Sequence, residues 1–420
     1  MSIARALLAI ALLAVTAAGT LALVSRTPAS IRAEAREGST DPALGSTFTD
    51  DQVASHGAYR GPAYIAYFLT LLINLAVLIV LARGPLATVL EKVGSASGGW
   101  IVQTLIASAF VALSLWLATL PLDYVRSQGM GRAWGLSTQD TAGWLSDQLR
   151  GAGIGLVIAA IAAIAFFGVV RWQPKAWWWI GWLTFSALSA VLVFLWPLVI
   201  APLFNRFTPL EAGPLRDRVV TLAADAGVEV GDVLVSDASR RTTAENAYVA
   251  GLFGSKQLVL YDTLIENGDE DETAFVVAHE LGHKVENHVA QGVALSVLGL
   301  FLSFVALRWL ASTEGPWRWA GASGIGDIRA LPVLLLFALV ATFVAMPIEN
   351  AISRRNEAAA DRIAIGLTED PATATKVFRR LAFSNISDLR PPGIAMWLFF
   401  THPPTPDRID ELMVGLGPKA

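Results

Sequence analysis

Seven stretches of the chain are apolar for 19 residues or more: 6–24, 61–82, 100–120, 152–170, 177–200, 289–311 and 330–348. None carries a charge except near an end, where Arg308 stands four residues from one. A helix of about 20 apolar residues crosses the hydrocarbon core of a bilayer. A soluble helix of that length would keep a polar face, and these stretches have none. Trp177, Trp178, Trp179 and Trp182 open the fifth run, as an interfacial belt does. The first run follows Arg5 and exceeds the apolar length of a secretory signal, so it is read as a retained span. Residues 25–60 are polar without periodicity and are expected to form a loop. Residues 201–288 and 349–420 are mixed in composition and read as folded aqueous structure. Two crossings separate them, so they share one side of the membrane and can form one domain. The expectation is a mostly α, integral membrane protein. Residues 1–200 form a membrane region of five spans, and 201–415 an aqueous domain interrupted by the spans at 289–311 and 330–348.

Composition agrees. Of 420 residues, 54% are hydrophobic and 16% charged, against about 25% charged in a soluble chain. The net charge of −4 argues against nucleic-acid binding. The absence of cysteine excludes disulfides, thiol catalysis and thiolate-bound metal. Any metal must be held by His, Asp and Glu. Arginine (25) far exceeds lysine (6), which suggests a GC-rich bacterial genome and hence a bacterial cell membrane. Basic residues divide almost evenly between the two sets of loops. Arg26, Arg32, Arg36, Arg60, Arg126, Arg132 and Arg150 stand against Arg5, Arg83, Lys92, Arg171, Lys175 and the 312–329 loop. Charge alone therefore leaves the orientation open.

The candidate chemistry begins at His279-Glu280-Leu281-Gly282-His283. Two histidines four apart on a helix share a face, about 6 Å apart along the axis, and both imidazoles can reach one Zn²⁺. Glu280 stands beside the metal, where it can act as general base toward water. Asn267-Gly268 marks a turn, and Asp269, Glu270, Asp271 and Glu272 then favour a helix N-terminus. A catalytic zinc takes three protein ligands and one open position. His288, nine residues from His279, falls about half a turn away on the wrong face. Glu286 shares the face but would give three ligands on consecutive turns. The better third ligand is Glu357, with Asp361 four residues on and on the same helical face. One carboxylate would bind the metal and the other would fix a histidine tautomer. With no strong breaker between them, the HExxH helix is expected to run straight into the sixth span, and 349–367 to continue the seventh. His283 and Glu357 would then lie about 9 and 14 Å beyond the lipid boundary. One Zn²⁺ per chain is expected there.

The segment 233–262 reads as β structure, with a hairpin turning near Gly254-Ser255. Zinc peptidases commonly take substrate as an added strand on such an edge, and Asn246, Ala247 and Tyr248 are the candidates. Near the C-terminus, Thr405 and Pro406 suit an N-cap and first helical position. Arg408 then sits in a first turn, where the dipole disfavours a cation. His402 or Arg408 could face the metal and stabilise an oxyanion.

HELGHKVENH, NAISRRNEAAAD, ENAYVAGLFGSKQLVLYDTLIE, THPPTPDRI and WPLVIAPLFNRFTPL together resemble the type I CAAX prenyl endopeptidases (CAAX prenyl protease 1-like), over about residues 60–415. The resemblance implies a bacterial member of a seven-span, gluzincin-like zinc protease family. It implies zinc ligands His279, His283 and Glu357, general base Glu280, Asp361 behind the ligands, a substrate-pairing strand at Asn246 and Ala247, and site residues His402 and Arg408. It also implies a water-filled chamber among the spans, capped by the protease domain on the cytosolic side. Family members cut behind a prenylated cysteine, and some degrade other membrane substrates. The expected partners are a peptide or protein substrate, lipidated or membrane-embedded, and the bilayer. The leading functional expectation is a metalloendopeptidase of prenylated CAAX C-termini. The alternatives are a membrane quality-control protease and, more remotely, a non-catalytic zinc-stabilised scaffold or transporter.

Overall fold

In the computed structural model, residues 3–94, 99–229, 231–250 and 257–415 are described. Each of the seven apolar runs lies in a helix long enough to cross a membrane. The first five are α1 (Ile3–Val24), α2 (Asp50–Ala82), α3 (Trp100–Tyr124), α4 (Thr141–Trp172) and α5 (Trp177–Leu195). On α1 and α3 most of the buried residues are small and let backbones approach. On α1 the buried face is Ala6, Ile10, Ala14, Ala17, Ala18 and Leu21, packed against α2 and α3.

Helix α2 begins eleven residues before its apolar run. A capping box starts it: Thr49 Oγ1 accepts the Gln52 N–H, and Gln52 Oε1 accepts the Thr49 N–H. The loop expected over 25–60 is therefore shorter, and it also contains the helix Ala29–Glu34. Distant arginines order it. Arg379, buried, donates to the carbonyls of Ser39, Gly45 and Thr47. Arg36 donates to Ser384 O and Thr243 Oγ1. The segment between α1 and α2 thus lies on the side of the aqueous domain. So do the α3–α4 connection, where Ser137 bridges to Thr242, and the start of α4, where Asp147 meets Arg241 at 2.7 Å.

The aqueous half is built on α6 (Pro214–Asp225) and a four-stranded sheet. Its strands are β1 (Phe207–Pro209), β2 (Val233–Ser236), β3 (Ala247–Ala250) and β4 (Gln257–Tyr261), in the order β1-β2-β4-β3. The expected β3–β4 pairing is present and antiparallel, with Tyr248 opposite Val259. The turn placed near Gly254-Ser255 lies outside the described residues. Strand β2 pairs with β4 in parallel, which leaves β3 at an edge.

Beneath the sheet runs α7 (Glu270–Val285), opened by an Asp269/Glu272 capping box. It does not run on into the sixth span, contrary to the expectation from the sequence. Asn287 takes the left-handed conformation (φ 56°, ψ 35°), and a separate helix, α8 (His288–Ala311), starts immediately after it. Asparagine is among the few side chains that tolerate this region, so one residue makes the break without proline or glycine. The seventh span does continue: α9 (Leu331–Thr368) runs unbroken past Glu357, with Pro347 inside it. Three helices follow, α10 (Pro371–Ser384), α11 (Gly393–Phe399) and α12 (Thr405–Gly415). Arg380 of α10 reaches Glu272 at 2.6 Å and Glu245 at 3.0 Å, tying the start of α7 to the loop before β3.

Helices α7 and α9 meet at Gly282. A Cβ there would stand 2.9 Å from both Cα and O of Ala360, so contact is backbone to backbone. Gly282→Ala should therefore lower stability by about 1–3 kcal/mol, the usual cost of overpacking. Gly57→Ala on α2, where an added Cβ meets nothing within 4 Å, should be neutral or stabilising by roughly 0.5–1 kcal/mol. Denaturation of both variants in the same detergent checks the contrast. Equal stabilities would show that the α7–α9 contact has slack.

Candidate metal centre

The capping box and the four acidic residues at its start hold α7 as a regular helix through the HExxH motif, so His279 and His283 share one face. Their Nε2 atoms lie 3.2 Å apart. Glu357, from α9, places Oε2 3.2 Å from His279 Nε2 and Oε1 3.4 Å from His283 Nε2. Among the described residues these three form the only group of three or more His, Asp or Glu side chains with metal-holding geometry. Donors at 2.0–2.1 Å from a tetrahedral ion are about 3.3–3.4 Å from one another, and the two nitrogens, and each nitrogen with one of the two Glu357 oxygens, have about that spacing. Glu357 is 5% exposed, and its Oε2 is buried with no well-formed hydrogen bond. An unsatisfied buried carboxylate oxygen is costly, and a cation among the three donors removes that cost.

His279 is held from behind. Its Nδ1 lies 2.8 Å from Asp361 Oδ1. Burial opposes charge on His279, but Asp361 and Glu357 on either side outweigh it and raise its pKa to about 9. A cation at Nε2 answers the same negative field that this proton answers. Asp361 is in turn gripped by Arg408, at 2.5 Å to Oδ1 and 2.8 Å to Oδ2. The Arg408 guanidinium also stacks 4.2 Å over the Phe378 ring. Of the two C-terminal candidates, only His402 stands at the donors, with Nε2 3.2 Å from Glu357 Oε2. Arg408 is directed at Asp361, and this pairing is the reason a cation sits in the first turn of α12.

Glu280 lines two cavities. One, of about 650 Å³, also takes in Asn246, Ala247, His279, His402 and Arg408. The other, of about 290 Å³, takes in Tyr248, Val249, His283, His288 and Glu357. Edge strand β3 passes between them, and the Val249 N–H bonds to the Glu280 carboxylate. Desolvation raises the Glu280 pKa, against the opposing pull of His279 and His283. The structure thus brings His279, Glu280, His283, Glu357, Asp361 and His402 together, with Arg408 behind them and Asn246–Tyr248 alongside.

Three contributors escaped the sequence reading. His288 was set aside as lying on the wrong face, yet its Nδ1 lies 2.8 Å from His283 Nδ1. Arg60 and Tyr64 of α2 line the larger cavity. Tyr64 donates to Asp388 Oδ2 at 2.7 Å and stacks on Phe399. A partner 324 positions away leaves no local signal. His56, the histidine furthest from the others in sequence, is a structural tie from α2 to Ser387 O.

Two family models cover most of the chain. Residues 209–414 match peptidase family M48, and 32–206 match the CAAX prenyl protease N-terminal model with five membrane helices. The chain is 34% identical over 300 residues to the uncharacterized metalloprotease YhfN of Bacillus subtilis, spanning 70% of each chain. It is 29% identical over 333 residues to a CAAX prenyl protease 1 homolog of Arabidopsis thaliana, spanning 76% of each. Its fold matches that of Ste24p from S. mikatae with a TM-score of 0.76 at 22% identity, over 97% of this chain and 99% of that one. With its spans matched by one model and its aqueous half by the other, the chain belongs to peptidase family M48 and is a membrane-embedded metalloendopeptidase.

Proposed function

We propose that the metal is a single Zn²⁺ per chain, held by His279, His283 and Glu357. The observation that carries this reading is the convergence of two Nε2 atoms, 3.2 Å apart, on the Glu357 carboxylate, one 3.2 Å from Oε2 and the other 3.4 Å from Oε1, with Oε2 buried and without a well-formed hydrogen bond. Two nitrogens and one oxygen, with no sulfur, suit zinc in a hydrolytic site. When bound, Zn²⁺ acidifies water and polarises a carbonyl at the same point. Substrate backbone extends the sheet at β3, along Asn246, Ala247 and Tyr248. Glu280 takes the proton of the attacking water and returns it to the leaving amine, a role that its raised pKa favours. His402 donates to the developing oxyanion. Arg408 fixes Asp361, and Asp361 fixes the His279 ring.

The molecule divides into a membrane region, 1–200, and a protease domain, 201–415, interrupted by α8 and the apolar part of α9. The protease domain is read as cytoplasmic, in a bacterial cell membrane, following the family resemblance. The loop bearing Arg36 and the start of α4, bearing Asp147, pack against that domain and share its side. The substrate class carried over from the relatives' names is a prenylated CAAX C-terminus.

Glu280→Gln should lower peptide cleavage by at least about 10²-fold, the usual contribution of a general base, while zinc content stays at one per chain. Zinc analysis and peptide cleavage on the same preparation measure both. A fully active variant would remove Glu280 from the mechanism.

The substrate reading is tested by three cleavage rates: a farnesylated CAAX peptide, the same peptide without the lipid, and an unfolded membrane protein. The farnesylated peptide should be cut fastest. If the lipid makes no difference and the unfolded protein is cut as fast, the enzyme is a membrane quality-control protease instead.

A further inference from the structure

Both imidazoles proposed to hold the metal turn Nε2 toward Glu357 and Nδ1 outward. The Nδ1 of His279 meets a carboxylate, Asp361. That of His283 meets another imidazole, with the two Nδ1 atoms 2.8 Å apart and the rings inclined at 67°. We infer that His288 is the positioning residue for His283, accepting its Nδ1–H and so locking it in the tautomer whose Nε2 is free to bind the metal. This rests on the proposed metal site.

The assignment follows from counting protons. An imidazole that offers Nε2 as a ligand carries its proton on Nδ1. At 2.8 Å two Nδ1 atoms must be one donor and one acceptor, since two protons would collide and two lone pairs would repel. His283 is the donor, so His288 is the acceptor and carries its own proton on Nε2. Metal-bound histidines regularly donate their second nitrogen to a carboxylate, a carbonyl or water. Here one ligand has a carboxylate and the other a neutral imidazole.

The backbone break is what makes the contact possible. In an unbroken helix a residue five positions past His283 would be rotated about 140° away from it. The left-handed Asn287 ends α7, with its N–H bonded to Lys284 O, and restarts the chain as α8 with His288 first. Asn287 O then accepts the Gln291 N–H, and Gln291 Nε2 donates to Glu286 O, which fastens the new helix to the end of the old one. The turn swings His288 back beside His283. The break between the HExxH helix and the sixth span therefore serves the metal site directly.

The test measures zinc affinity of the full-length protein in detergent, by competition with a chromophoric chelator, together with thermal melting of each variant. His283→Ala should lose stoichiometric zinc. His288→Leu should melt close to wild type with zinc affinity lowered by about 10–100-fold, the usual effect of removing such a partner. His288→Asn should recover most of that loss, because an Asn amide oxygen stands about where the imidazole Nδ1 does and can accept the same proton. Wild-type affinity in His288→Leu overturns the inference while leaving the metal site intact. Equal losses in the Leu and Asn variants also overturn it, since they would trace the effect to packing. Zinc retained in His283→Ala refutes the site itself, a distinguishable result.

Discussion

The contact between α7 and α9 at Gly282 and Ala360 is the constraint on which the rest of the site depends. Two histidines on one helix and a carboxylate on another can share a small cation only if the helix axes are close enough for short side chains to meet. Most helix pairs stand 8–10 Å apart with side chains between them. Here the motif residue beside the second histidine is a glycine, and a bare Cβ in its place would already be 2.9 Å from the partner backbone. The approach brings Glu357 Oε2 within 3.2 Å of His279 Nε2 and Oε1 within 3.4 Å of His283 Nε2. Glu357 is nearly fully buried there. A carboxylate in that position is stable only beside a compensating charge.

The membrane spans explain how such a contact is kept. α9 is one helix from the span to beyond Asp361, so the height of Glu357 above the lipid is set by the anchored part of the same rod. α7 has no such continuity. Its position comes from the sheet above it, from the Arg380–Glu272 pair at its start, and from the kink at Asn287 that joins it to α8. The polar segment between α1 and α2 wraps the aqueous half and is fastened by Arg36 and the buried Arg379. Guanidinium groups suit this task, because five fixed donors can satisfy several carbonyls of an irregular strap at once.

Much of this was legible in the sequence, for reasons that can be named. Spans register as long apolar runs because lipid admits no polar face, and all seven were found. The spacings that place His279 with His283, and Glu357 with Asp361, are properties of one helix and survive any tertiary arrangement. What escaped was set either by a single backbone conformation or by distant pairing. His288 was set aside as a third ligand and is not among the three grouped donors, but its contact with His283 escaped, because one residue with positive φ breaks the helix between them. The 25–60 segment showed no periodicity, because what orders it is a set of arginine-to-carbonyl bonds whose donors include Arg379, more than 330 positions away.

Arg408 shows how an anomaly legible in the sequence can have a partner that is not. A cation in the first turn of α12 works against the helix dipole, and a direct role at the reacting oxygen was one way to account for it. The structure gives another. Asp361 is nearly fully buried, and a buried carboxylate with one imidazole as its sole partner would be poorly compensated. Arg408 closes both of its oxygens with Nε and Nη2 in a two-pronged contact that lysine could not reproduce. The chain Arg408–Asp361–His279 then fixes a ring orientation using charges that largely cancel. The unfavourable dipole interaction, about 1 kcal/mol or less at a helix end, is small beside the cost of leaving Asp361 buried and unpaired. The misplaced cation is therefore the cheaper of two electrostatic faults, and it lies behind the proposed metal ligands rather than in front of them.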